Sequence, residues 1–379
     1  MIRLALMIPT LDRGGAEKQL TLLATHLPRN RFEVTVCTLT RDGPYRAVLE
    51  RAGIQVESFS KRWKLDPAAW FRAVGFFRRW KPDIVHTWLF AANTYGRTAA
   101  RRAGVPYIVG AERCADHWKL WHELAIDRYL AGRSNGLITN SDGVVDFYAQ
   151  KRIPREKFTV IPNAIEPNAT EPSTSSVNWR QELNLKEDAY LIGAVGRLWP
   201  QKRIEDLVWG AQFLRFVREN GFLLIAGDGP RRPYLESLRN QLKLQGRIFF
   251  LGHRDDAVDW LPQLDAFWIG SGYEGQSNAV MEAMRAGLPV VASDIPGNRD
   301  LVVQDETGFL LPLGDRAGFA RKTCWLIDHP DQAKNMGAAG SERIKSEFSI
   351  EAMVQRYVEF YDNLTTNCST KQAIEDDLS

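Results

Sequence analysis

Glu274 and Glu282 stand eight positions apart in YEGQSNAVMEAMRAGLPVVAS. Ser277 or Asn278 can cap a helix filled by AVMEAMRA, which Gly287 and Pro289 then end. Glu274 is expected in the loop ahead of that helix and Glu282 about one turn inside it. The axial rise from the cap to Glu282 is roughly 7.5 Å at ~1.5 Å per residue, about the span of a diphosphate. Helix N-termini attract anions through their unpaired N–H groups and the macrodipole. This spacing therefore suits an anion held between two sets of hydroxyls, one set donating to each carboxylate. Two glutamates so spaced also arise by chance, with Glu282 a plain helix carboxylate and Glu274 a turn residue.

Cations that could complete such a site occur in GRLWPQKR, after the apolar run AYLIGAVG. Arg197 and Lys202 would project from the carboxyl end of a strand, where open α/β sheets bind ligands. Arg grips two phosphate oxygens while Lys supplies a point charge, and a fixed pair can stabilise a departing diphosphate without a metal. The plain alternative is a solvated pair opening a helix. Gly14 and Gly15 follow the first apolar run, ahead of a helix beginning near Ala16, where bare backbone can approach a phosphate or simply turn. DRGGAE is not a dinucleotide fingerprint, and no P-loop occurs. His86 closes the strand DIVHTW and could orient a hydroxyl as a neutral imidazole, or serve the fold alone. Glu112 and Arg113 in GAERCADHW could touch an acceptor or form a surface ion pair. Asn163 in VIPNAIE is expected to shape a domain junction.

The elements that must hold these residues follow from alternation. RLALMI, FEVTVCTL, IQVESF, DIVHTW, PYIVGA and GLITNS read as strands with amphipathic helices between them. A second series, AYLIGAVG, GFLLIAGDG, RIFFLG, DAFWIG, LPVVASD and GFLLPL, repeats the pattern after the Pro-, Ser-, Thr- and Asn-rich AIEPNATEPSTSSVN. Two doubly wound parallel-sheet domains are expected, 1–165 and 189–345, joined by a linker at 166–188 and facing a deep cleft. Asp315 to Leu364 reads as helical; residues 346–365 form its last amphipathic stretch, and 366–379 a loose tail.

With 379 residues, 44% hydrophobic and 25% charged, the chain suits two soluble domains. Its net charge of +3 is unevenly spread, with 26 Lys and Arg against 15 Asp and Glu through Ile165 and 23 against 31 beyond. The basic first half is expected to meet something anionic. In KRWKLDPAAWFRAVGFFRRWKP, cations alternate with aromatics in a way that suits an anionic membrane surface, unless Trp70, Phe71, Phe77 and Trp80 are partly core. No nucleic-acid motif occurs. The four cysteines lack metal-ligand spacing, no run is long enough to span a membrane, and MIRLALMIP lacks the core of a signal peptide. A cytoplasmic protein, peripheral on the membrane at most, is expected, with sequons such as Asn168-Ala-Thr chance matches.

TLDRGGAEKQL, DIVHTW, VIPNAIE, GRLWPQKR and the glutamate segment, in that order, resemble the motifs of glycosyltransferase family 4, retaining enzymes of the GT-B fold. The resemblance spans almost the whole chain. It implies a nucleotide-diphosphate-sugar donor, a saccharide or lipid-linked acceptor hydroxyl, and neither metal nor cofactor. It assigns the diphosphate to Arg197, Lys202 and the backbone of Gln276, Ser277 and Asn278, with Gly14 and Gly15 near the phosphates. Glu274 would hold sugar hydroxyls, Glu282 the ribose, and His86 the transferred sugar or acceptor; the terminal helix would cross back onto the first domain. Gly275-Gln276-Ser277 stands where the family often has Gly-Phe-Gly or Gly-Phe-Pro, which implies a more polar sugar pocket. Ala164 and Glu166 depart from its N-G-[VI]-D motif. A noncatalytic sugar-nucleotide-binding scaffold and a GT-B epimerase are the alternatives, and a nicotinamide oxidoreductase is disfavoured by the missing fingerprint.

Overall fold

The computed structural model of the chain describes residues 1–166, 177–254 and 256–376, with backbone alone for 257–258 and 367–376. It divides into two compact units, Met1–Ala164 with the chain from Ile350 onward, and Ile165–Ser349.

The first unit is built on a seven-stranded parallel sheet: β1 (Ile2–Thr10), β2 (Phe32–Arg41), β3 (Gln55–Ser58), β4 (Ile84–Trp88), β5 (Tyr107–Glu112), β6 (Gly136–Thr139) and β7 (Phe158–Val160). Their order is β3-β2-β1-β4-β5-β6-β7, so the winding reverses between β1 and β4. Central strands covered on both faces must be apolar throughout, and Leu4 to Ile8 are wholly buried. β7 adds a strand that the sequence reading left unassigned, because three residues are too few to show a period. The last helix, Ile350–Asp376, closes one face of this unit with Met353, Tyr357 and Tyr361. Its backbone stays helical past Leu364, through most of the stretch expected as a tail.

The second unit holds a six-stranded parallel sheet: β8 (Tyr190–Val195), β9 (Gly221–Ala226), β10 (Ile248–Gly252), β11 (Ala266–Ile269), β12 (Val290–Ser293) and β13 (Gly308–Leu311). The order β10-β9-β8-β11-β12-β13 reverses between β8 and β11. Much of the expected linker, including Asn168, lies outside the described residues, but its end is no linker. Trp179 is buried, its ring edge-on to Trp260 with centroids 6.0 Å apart, and Arg180 bridges to Asp265 at 2.8 Å. An apolar Trp and a paired Arg so placed anchor 177–188 to the second unit's core. No described helix is long and apolar enough to cross a membrane.

A buried charge cluster pins the loop after β5. Lys119 Nζ, wholly enclosed, donates to Asp127 at 2.8 Å, to Glu112 at 3.1 Å and to the Tyr148 hydroxyl at 2.7 Å, and lies 3.2 Å from Asp116. Arg97 approaches Asp127 and Glu112 at 3.8 and 3.9 Å. Two cations thus face three carboxylates, and the site reduces the imbalance by keeping a proton on one of them. Burial, and next the Glu112 charge, push the Asp127 carboxyl up to about 7. Its folded value exceeds the unfolded one, so the stability gained is full below about pH 4 and is lost as pH rises toward 7. In urea titrations across that window Asp127→Asn should flatten the pH dependence. Lys119→Met, which strands the carboxylates, should cost about 3–5 kcal/mol.

Candidate active site

β8 and β11 run side by side, with Ile192 beside Ala266 and Gly193 beside Phe267. Open α/β sheets bind ligands outside the carboxyl ends of the strands where the winding reverses, and here that place lies beyond these two. The loop after β8 carries Arg197 and the short 3-10 turn Pro200–Lys202; the loop after β11 carries Glu274. The loops are laced together, Gln201 Nε2 donating to the Tyr273 carbonyl at 2.8 Å and the Gly272 N–H to the Gln201 carbonyl at 2.8 Å. Across the seam Lys202 Nζ donates to Glu274 Oε1, with the two side chains only 14% and 11% exposed. Ser271 Oγ donates to the same oxygen at 2.7 Å, which leaves Oε2 to accept a hydroxyl. Sparse solvent strengthens each of these interactions. Arg197 is exposed, its guanidinium 5.9 Å from the Trp199 ring, and among the described residues no carboxylate pairs with it.

Glu274 leads into the helix Asn278–Arg285. Ser277 is its N-cap, its side chain accepting no cap hydrogen bond, and Val280, Met281, Ala283 and Met284 anchor the helix in the core. Gln276 and Ser277 are nearly buried, while Asn278 and Glu282 are half-buried. Glu282 lies near enough to Arg285 to act on its charge, and Arg285 donates to the Glu166 carbonyl.

Residues that the sequence reading passed over fix the loops. Ser293 Oγ donates to the Ser271 carbonyl at 2.6 Å, and Asn298 Nδ2 to the Ser293 carbonyl at 2.9 Å, which ties the end of β12 to the Glu274 loop. A Cβ on Gly297 would stand 1.6 Å from the Gly275 carbonyl oxygen, so any side chain there displaces the turn bearing Glu274. Gly227, at φ +142°, lies against the Gly196 carbonyl, where a Cβ would approach to 1.9 Å. The N–H groups of Gly196 and Leu198 donate to Ala226 and Asp228 at 3.0 and 2.9 Å, holding Arg197 between them. Nothing in DIPGNRD or GDGP marks these glycines without the contact partner.

In the first unit the expectations divide. Gly14 and Gly15 follow β1, at that sheet's own reversal, and open the helix Gly15–His26 with Gly14 as N-cap; Glu17 folds back over Gly14. His86 is not an open strand end. It is the third residue of β4 and wholly buried, its Nδ1 2.8 Å from the Tyr361 hydroxyl and its ring among Trp88, Tyr357 and Tyr361. Burial, with the Arg113 charge second, pushes it down to about 3, so the imidazole is neutral. Glu112 and Arg113 form no surface pair either, since both are buried and go to different partners. Glu112 joins Lys119, whereas Arg113 lies 4.7 Å over the Trp88 ring and donates to Asn163 Oδ1. Asn163 is thereby occupied, and Gln19 fixes the next residue by exchanging two hydrogen bonds with the Ala164 backbone at 2.7 and 2.9 Å. Among the described residues no cluster of His, Cys, Asp and Glu is arranged to hold a metal ion.

Comparison with known proteins assigns each unit to a family. Residues 13–169 match the model Glycosyltransferase Family 4, and residues 175–343 match Glycosyl transferases group 1. The chain is 29% identical over 307 residues to the Escherichia coli UDP-Gal:alpha-D-GlcNAc-diphosphoundecaprenol alpha-1,3-galactosyltransferase, covering 76% of this chain and 77% of that one. It is 24% identical over 347 residues to the Rhizobium meliloti lipopolysaccharide core biosynthesis glycosyltransferase LpsE, covering 91% and 95%. The fold matches that of Anabaena HepE in complex with UDP-glucose, with a TM-score of 0.84, 23% identity, and 96% and 100% of the two chains covered. The order of the motifs, the two doubly wound units and the two family matches lead to one assignment: the chain belongs to the glycosyltransferases of the GT-B fold.

Proposed function

We propose that the chain is a retaining, metal-independent hexosyltransferase that moves a sugar from a nucleoside-diphosphate donor to the hydroxyl of a saccharide or lipid-linked acceptor in surface polysaccharide or glycolipid assembly. The observation that carries this reading is the meeting of Lys202 with Glu274, beside the exposed Arg197, where the second sheet reverses its winding. Arg197 and Lys202 take the diphosphate and neutralise charge as it builds on the bridging oxygen. Glu274 accepts sugar hydroxyls through Oε2, and Glu282 accepts those of the ribose. Backbone N–H groups of Gln276, Ser277 and Asn278 face the phosphates, and Gly14 and Gly15 offer further backbone to an anion. His86 holds the last helix against β4, a positioning role that replaces contact with the sugar. The acceptor hydroxyl attacks from the face the phosphate leaves, and the departing phosphate oxygen takes its proton. The donor and acceptor named for the E. coli relative, the lipopolysaccharide core named for the R. meliloti one and the UDP-glucose of the HepE complex support the donor and acceptor classes.

A thermal-shift screen of nucleotide sugars should find at least one donor that raises the melting point, and the shift should vanish in Arg197→Ala and in Glu274→Ala. Turnover in Arg197→Ala should fall by about 10²–10³-fold, the usual effect of removing one preorganised charge stabiliser. No hit with any nucleotide sugar overturns the reading. Proton NMR of the product should show the donor's anomeric configuration kept, and activity should survive a chelator. Gly297→Ala, which touches no ligand in this scheme, should still weaken donor binding because it moves Glu274; unchanged affinity would argue against that turn's importance.

A further inference from the structure

One hydroxyl beside Glu274 is spent on that side chain and not on the path of the loop. Ser271, two residues past β11, is wholly buried, and its Oγ donates to Glu274 Oε1 at 2.7 Å. The backbone around it is held by other groups. The Gly272 N–H donates to the Gln201 carbonyl at 2.8 Å, Gln201 Nε2 to the Tyr273 carbonyl at 2.8 Å, and Ser293 Oγ to the Ser271 carbonyl at 2.6 Å. Gly297 packs against the Gly275 carbonyl. None of these contacts uses the Ser271 hydroxyl, so removing it frees the carboxylate and leaves the loop anchored.

A glutamate needs such a hold because its last torsion is broad, and the plane of the carboxylate swings unless something fixes it. Two donors meet at Oε1, the Lys202 ammonium and the Ser271 hydroxyl. They differ in charge. An ammonium is drawn strongly toward an arriving diphosphate, whereas a neutral hydroxyl feels only the weaker pull on its dipole. Lys202 has three N–H donors and can divide them between the acid and an anion; Ser271 has one, and it is already given to Glu274. Of the two, the hydroxyl is the one whose grip survives the arrival of phosphate.

We propose that Ser271 is a positioning residue for sugar recognition: it fixes the plane of the Glu274 carboxylate so that Oε2 meets a sugar hydroxyl, independently of the grip on the diphosphate. This inference rests on the donor site of the proposed function and divides it into two separately held parts. Arg197 and Lys202 hold the diphosphate, and Glu274, aimed by Ser271, holds the sugar. A side chain that is already ordered loses little freedom when its ligand arrives, so the aim is felt directly in affinity.

Calorimetry on the full chain with UDP and UDP-glucose, the ligands of the HepE complexes, tests this, or with whichever matched pair the screen of nucleotide sugars selects. Ser271→Ala should weaken the nucleotide sugar about tenfold, the effect of impairing a hydrogen bond to a charged group, and leave the nucleoside diphosphate unchanged. Ser271→Cys keeps a weaker donor in nearly the same space and should fall between the two. Melting points will show that the variants fold, and Ser271→Cys carries the same comparison if Ser271→Ala does not. Equal weakening of both ligands overturns the proposal, because a hydroxyl that merely held the loop would also disturb the N–H groups of Gln276, Ser277 and Asn278 that face the phosphates. Unchanged affinity for the nucleotide sugar overturns it as well. If the unsubstituted chain binds no nucleotide sugar, the transferase reading fails and this proposal with it; if that chain binds one and the ratio of the two affinities does not move in the variants, this proposal fails alone.

Discussion

An ammonium and a carboxylate meet across the seam between two strands that are neighbours in space and distant in sequence. Lys202 and Glu274 are 72 residues apart, and only the adjacency of β8 and β11 joins them. A pair as enclosed as this one exists because each charge compensates the other; either alone would be costly to bury. Its neighbours are correspondingly determined. Ser271 shares the carboxylate oxygen, Ser293 and Asn298 hold the Ser271 backbone, and Gly297 lets the chain pack against the turn. On the other side Gly227 lets the loop after β9 rest on Gly196, and two backbone bonds flank Arg197. Under the proposed function, a cation and an acid placed by so many contacts would need little rearrangement as charge develops on a ligand, the condition for electrostatic catalysis.

The first unit solves a different problem. Its interior contains an unusual amount of polar chemistry beside the central strands: His86 against Tyr361, Arg113 over Trp88 and bound to Asn163, and the Lys119 cluster with Glu112 and Asp127. Most of their polar atoms find partners within the cluster, though His86 Nε2, Arg113 Nε and Asp127 Oδ1 have none, and the bonds that are made tie the loops after β5 and β6 to one another. The last helix is part of that solution, since Tyr357 and Tyr361 supply the hydroxyls that Arg113 and His86 use. A chain that leaves this unit at Ala164 must therefore return to it at Ile350 to complete its core.

Much of this was legible from the residues. Helix, strand and turn are local matters, set by apolar period, caps and breakers, and GRLWPQKR and the glutamate segment fell where they were expected, after β8 and at the head of the helix Asn278–Arg285. β7 and the end of the presumed linker escaped, the first for want of length and the second because Trp179 reads as part of a polar stretch until its partner Trp260 is known. His86 and the Glu112-Arg113 pair were misjudged for the same reason: burial is decided by what packs against a residue from elsewhere in the chain.

The sequence by itself determined two α/β series, the chemistry available at each strand's carboxyl end, and the excess of positive charge in the first half. The tertiary structure alone decided which strand ends are neighbours and which polar residues are sealed in the core. The division has a physical origin. Spacing along a helix or strand fixes direction within one element, whereas strand order and burial depend on contacts between segments tens to hundreds of residues apart, and no local period encodes those.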